Sequence, residues 1–86
     1  MQEYVLQTQL QYEILLREIQ QYDNEISVMQ LKVQNQTLLY ESGKISKDTL
    51  MEWNTQLELL KYRRFSDICD ARLVLYVLEH TIENAN

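Results

Sequence analysis

Apolar residues return at every seventh position along the first half of the chain, at Val5, Tyr12, Ile19, Ile26, Val33 and Tyr40. Three places after each of the first five comes a second set: Thr8, Leu15, Tyr22, Met29 and Gln36. This 3–4 alternation puts both sets on one stripe of an α-helix, the pattern of a coiled-coil seam. It predicts a helix over about residues 2–41, a rod of roughly 60 Å at about 1.5 Å per residue. The remaining face is rich in glutamine (Gln7, Gln9, Gln11, Gln20, Gln21, Gln30 and Gln34), which keeps helix propensity without self-repulsion. Glu13 and Arg17 stand in the favourable acid-first i, i+4 order. Leu10, Leu31 and Leu38, with Ile14 and Val28, fall off the seam. A single partner helix would leave them in water, so this helix is expected to have neighbours on more than one side.

The second half opens the same way, with Leu50, Trp53, Leu57 and Leu60. The next two seam positions hold Arg64 and Asp67, which reads as a break. The stripe is expected to resume at Ile68, Ala71, Leu75, Leu78 and Ile82, an insertion of four that locally unwinds a left-handed supercoil. A side stripe through Tyr62, Phe65, Cys69, Leu73 and Tyr76 widens the apolar face.

Between the halves lies the segment YESGKIS, residues 40–46, holding the only glycine of a chain without proline. Gly43 suits the residue just past a helix end, where the backbone turns left-handed. Ser46 suits the N-cap of the second helix and Asp48 its first-turn dipole. Ile45 and Leu50 occupy the positions of a hydrophobic staple. So short a link makes the helices antiparallel neighbours. The predicted fold is therefore all-α: residues 1–86 as a single long antiparallel helical hairpin, with a helix over about 2–41, a turn at 42–45 and a helix over about 46–82. A hairpin buries only one side of each rod. Self-association is expected, most simply a dimer of hairpins forming a four-helix bundle.

The 86 residues carry a formal net charge of −5, with a pI near 4.7. Phosphate-backbone binding needs a basic stripe, so no nucleic-acid partner is expected. Lys61, Arg63 and Arg64 precede Asp67 and Asp70, which reads as a solvated, salt-bridged face. No apolar run reaches the ~18 residues of a membrane span, so no direct membrane insertion is expected. The glutamine-rich faces are also unlike those of membrane-surface helices, which favour Lys and Arg. The start, MQEYVLQTQLQYE, lacks the basic and apolar regions of a secretory signal. The expectation is either a cytoplasmic protein or an excised piece of a protein whose targeting sequence lies elsewhere.

Catalytic chemistry finds no footing. His80 is the only histidine, and residue 77 is Val, so the Glu-x-x-His element of carboxylate-bridged metal sites is missing. Cys69, also single, is expected to be a buried, inert thiol that forms no internal disulfide. Asp67 and Asp70 are read as balancing Arg63 and Arg64, and the six tyrosines as packing residues. No enzyme activity, metal or cofactor is expected.

Residues 36–82, including LLYESGKISKDTLMEWNTQLELLKYRRFSDICDARLVLYVLEHTI, resemble the helical repeat of TolC-type outer-membrane efflux proteins. In that family a helix ends in an aromatic residue, two variable positions and glycine. An aliphatic residue and Ser or Thr follow, then a helix with an acidic residue near its start. The matching residues are Tyr40, Gly43, Ile45, Ser46, Met51, Glu52 and Gln56, then Tyr62, Asp70, Ala71 and Leu78. Trp53 departs from the usual small residue, the end HTIENAN lacks the common Leu-Gly, and strands for a membrane barrel are missing from this segment. The resemblance implies a hairpin of the periplasmic α-barrel of a trimeric channel at the outer membrane. It implies that Ser42, Gly43, Lys44, Ile45 and Ser46 form a tip that meets a periplasmic adaptor protein, and that Glu52 contributes to a pore constriction. The other reading of the same residues is a stand-alone coiled-coil dimerisation or scaffold module with no transport role.

Overall fold

The structure, a computed structural model, describes residues 2–84, and side-chain environments for residues 3–81. Two helices account for it: α1, Gln2–Glu41, and α2, Lys47–Asn84. They lie antiparallel along their whole length and form an elongated hairpin of 65 × 14 × 14 Å. The long axis is what about forty residues of α-helix at about 1.5 Å each should span.

The seam read from α1 is the seam observed. Val5 through Gln36 are buried or half-buried at every expected position. Thr8 is a polar member of this row, and its hydroxyl donates to the Tyr4 carbonyl at 2.8 Å, so its burial leaves no unmet donor. Tyr40 departs from the expectation: it is 39% exposed, and Leu39 turns partly inward beside it.

In α2 the expected stutter is absent. Leu50, Trp53, Leu57, Leu60, Arg64, Asp67, Ala71, Val74, Leu78 and Thr81 are all buried or half-buried. Their spacings alternate 3 and 4 without interruption. Ile68 is a half-buried flank residue and Leu75 is 38% exposed; the side chain of Ile82 lies outside the described residues. The physical reason is that two long rods joined by one short turn have a fixed phase. A phase shift of four residues would force α2 to unwind locally; with the seam unbroken, the Arg64 side chain still reaches the half-exposed edge of the two-helix seam, and the cost falls on Asp67, whose Oδ2 is buried.

The core is thin. Ile26, Leu57, Ala71 and Leu78 are its buried apolar residues, and among the described residues no large side chain is fully enclosed. Trp53 packs toward α1 with the Lys32 ammonium 5.7 Å from its ring centroid, within cation–π range.

Candidate functional site: the turn, the polar layer and the outer faces

The turn is built as its residue types demand. The Lys44 N–H donates to the Leu39 carbonyl at 2.8 Å and the Gly43 N–H to the Tyr40 carbonyl at 3.0 Å. These are the paired bonds of a Schellman cap. They place Gly43 at φ 77°, in the left-handed region that a Cβ disfavours. Space around Gly43 is open, since an added Cβ would meet nothing within 4 Å. The requirement for glycine is therefore conformational, not steric. On the far side of the turn, Ser46 Oγ accepts from the Thr49 N–H at 3.2 Å, and the two hydroxyls lie 3.0 Å apart. That bond satisfies one of the free N–H groups of the α2 N-terminus. Ile45 and Leu50 are both half-buried, as a staple across the corner requires.

Ser42, Gly43, Lys44 and Ser46 are exposed at one end of the rod, with Ile45 half-covered. Glu52 is exposed on the flank of α2, about 9 Å along the helix from Ser46 at ~1.5 Å per residue. The end of the hairpin thus presents small polar groups and one lysine, held by backbone bonds.

A second polar feature lies mid-hairpin, where sequence reading expected a solvated face. Arg64 does not pair with Asp67 or Asp70. Its Nε donates across the seam to Asp23 of α1. Lys61 meets Glu58 at 3.5 Å on its own helix, and Glu13 and Arg17 form no ion pair. Asp67 faces α1, where Oδ2 is buried and accepts no hydrogen bond. Its neighbour is Glu18, whose carboxyl is held above its usual pKa by hydrogen bonding to Asp67 and by the Asp67 charge. The two facts agree: carboxylates are both acceptors, so the pair can bond only while one keeps its proton. The signal for this layer was present in the sequence. Continuing the 3–4 spacing from Leu60 lands on Arg64 and Asp67.

The third feature is the outer face of α2. Tyr62, Phe65, Leu73 and Tyr76 are each 59–67% exposed, and Cys69 among them is exposed, not the buried thiol expected. The side stripe does not widen the contact with α1; it points away from it. On α1, Leu10, Leu31 and Leu38 are likewise more than half exposed, as are Ile14 and Val28. The His80 ring lies tilted against Tyr76, with ring centroids 4.1 Å apart and planes inclined by 59°.

None of these places is a reaction centre in form. An open groove of about 280 Å³ between Tyr4, Thr8, Leu73 and Val77 holds no acid–base pair or activated nucleophile. Among the described residues no three His, Cys, Asp or Glu converge as a metal site, and no helix is long and apolar enough to cross a membrane. No family model, curated protein or solved structure matches the chain. The TolC-type resemblance therefore rests on the turn motif and the residues following it.

Proposed function

We propose that this hairpin is a structural assembly element that packs against further helices and performs no chemistry of its own. One observation carries the reading: both helices expose large apolar side chains on the faces turned away from each other, from Leu10 to Leu38 on α1 and from Tyr62 to Tyr76 on α2. Such patches are costly in water and mark interaction surfaces. The partner supplied most simply is a second hairpin, giving a four-helix assembly. Sedimentation velocity at micromolar concentration tests this. An associated, fully helical species is expected; a folded monomer throughout the range ends the reading.

A more particular form follows from the resemblance to TolC-type proteins. Here the hairpin stands in the wall of a periplasmic efflux duct, residues 42–46 meet an adaptor protein, and Glu52 lines a constriction. What supports this form is the order Tyr40-x-x-Gly43-x-Ile45-Ser46 at an end whose polar groups are exposed. A helix in a duct wall has neighbours on two sides, which suits the two-sided apolar character of both rods. In the full-length protein, Gly43→Trp is expected to abolish adaptor binding and export while leaving channel assembly intact. Binding and export at normal levels in an assembled variant remove the tip from the mechanism.

A further inference from the structure

The outer face of α2 reads nearly the same from both ends. Counted from Cys69, Phe65 and Leu73 lie four residues away on either side, Tyr62 and Tyr76 seven, and Glu58 and His80 eleven. At about 100° per residue, all of them fall within about 40° of a single line along the helix. That line runs about 180° from the seam residues Leu60, Asp67, Ala71 and Leu78. Every residue on it is exposed. Resting on the assembly reading above, we propose that this face is a homodimer interface. In it, α2 of a second copy lies antiparallel, with the two-fold axis passing beside Cys69.

A two-fold axis at that point exchanges each residue with the one equally far on the other side. Tyr62 then meets Tyr76 of the second copy, Phe65 meets Leu73 of the second copy, and the two Cys69 thiols meet on the axis. The Glu58 carboxylate falls opposite His80 of the second copy, whose ring lies tilted against that of Tyr76. Lys61, eight residues before Cys69, and Glu79, ten after it, lie on the same flank of the line and are staggered by only about 3 Å across the interface. A parallel pairing would oppose Glu58 to Glu58, and like charges in register are unfavourable. The near-symmetric row about Cys69 points to a second copy of this chain as the occupant, and the charge order favours the antiparallel direction. The two turns project from opposite ends of a flat, four-helix layer, unlike a duct wall in which neighbouring turns share one end.

Thiol cross-linking reads this register directly. Two variants are made in a Cys69→Ala background, one with Tyr62→Cys and one with Tyr76→Cys, and treated with a short bismaleimide. Each thiol adds across one maleimide double bond. A mixture of the two variants is expected to give covalent dimer. Either variant alone should give little, because like positions then lie about 21 Å apart along the axis. Covalent dimer as abundant from either variant alone overturns the antiparallel register. No product from the mixture, at concentrations where sedimentation shows a dimer, moves association to another face while leaving the assembly reading intact. A folded monomer at every concentration overturns both. In the otherwise native chain, Leu73→Glu should weaken dimerisation by roughly tenfold or more, since symmetry places the charge in the interface twice. Circular dichroism should show the helices unchanged, because Leu73 is 63% exposed. Undiminished dimerisation of that variant also overturns the proposal.

Discussion

Single residues carry distinct physical burdens in this hairpin. Gly43 sits at φ 77° with open space around it, so any L-residue there meets backbone strain and nothing else. Gly43→Ala should lower stability by about 1–2 kcal/mol, and Gly43→Asn by less, because asparagine tolerates the left-handed region. Paired urea titrations check the order of the two variants. Asp67 is the opposite case, a residue whose removal should help. Its buried Oδ2 has no donor, and it opposes Glu18. Asp67→Leu is expected to stabilise the fold by about 1–2 kcal/mol, since an apolar side chain replaces an unmet acceptor. The pair also predicts a pH dependence. The Glu18 pKa is raised in the folded state, so between its ordinary and raised values the native chain holds more proton than the unfolded one. The stability due to this pair is present below that window and falls as pH rises through it. Urea midpoints measured from acid to neutral pH should show this decline in the native chain and lose it in Glu18→Gln and Asp67→Leu.

At the scale of the element, each helix is long and weakly buried, and stability is concentrated at a few seam positions. Leu57 and Ile26 are among the few buried apolar residues. Leu57→Ala should cost about 2–3 kcal/mol, a large fraction of what a hairpin this thin can hold. Thermal unfolding followed by circular dichroism is expected to show an early, broad transition for this variant. The Arg64–Asp23 pair is half-exposed on both sides, so solvent screens it and Arg64→Ala should cost under about 1 kcal/mol. Its larger role is positional. With Asp67 it makes a polar layer that lets α2 keep an unbroken 3–4 seam where hydrophobicity alone suggested an interruption.

At the scale of the whole molecule, the 65 Å rod buries one stripe of each helix and leaves a second stripe on each uncovered. A protein of this form gains stability from whatever covers those faces, by mass action. The melting temperature should therefore rise with protein concentration, and should stop doing so in Leu73→Glu if the α2 outer face is the contact. Calorimetric scans across a hundredfold range of concentration check this.

The helices, the turn and the α1 seam were legible in the residues alone. These features depend on local rules: a heptad repeat, the left-handed preference of glycine, and a serine hydroxyl within reach of an N–H three residues on. The phase of the α2 seam, the exposure of Cys69 and the partners of Arg64 and Asp67 were not. Each depends on which face of α2 the turn presents to α1, and apolar spacing in α2 supported two answers. One stripe ran through Ile68 and Leu75, the other through Arg64 and Asp67. Only the packed pair of helices decided between them. The fixed turn and a continuous supercoil outweighed the cost of holding an arginine and an aspartate at a half-open seam. The same choice sent Tyr62, Phe65, Cys69, Leu73 and Tyr76 to the outside.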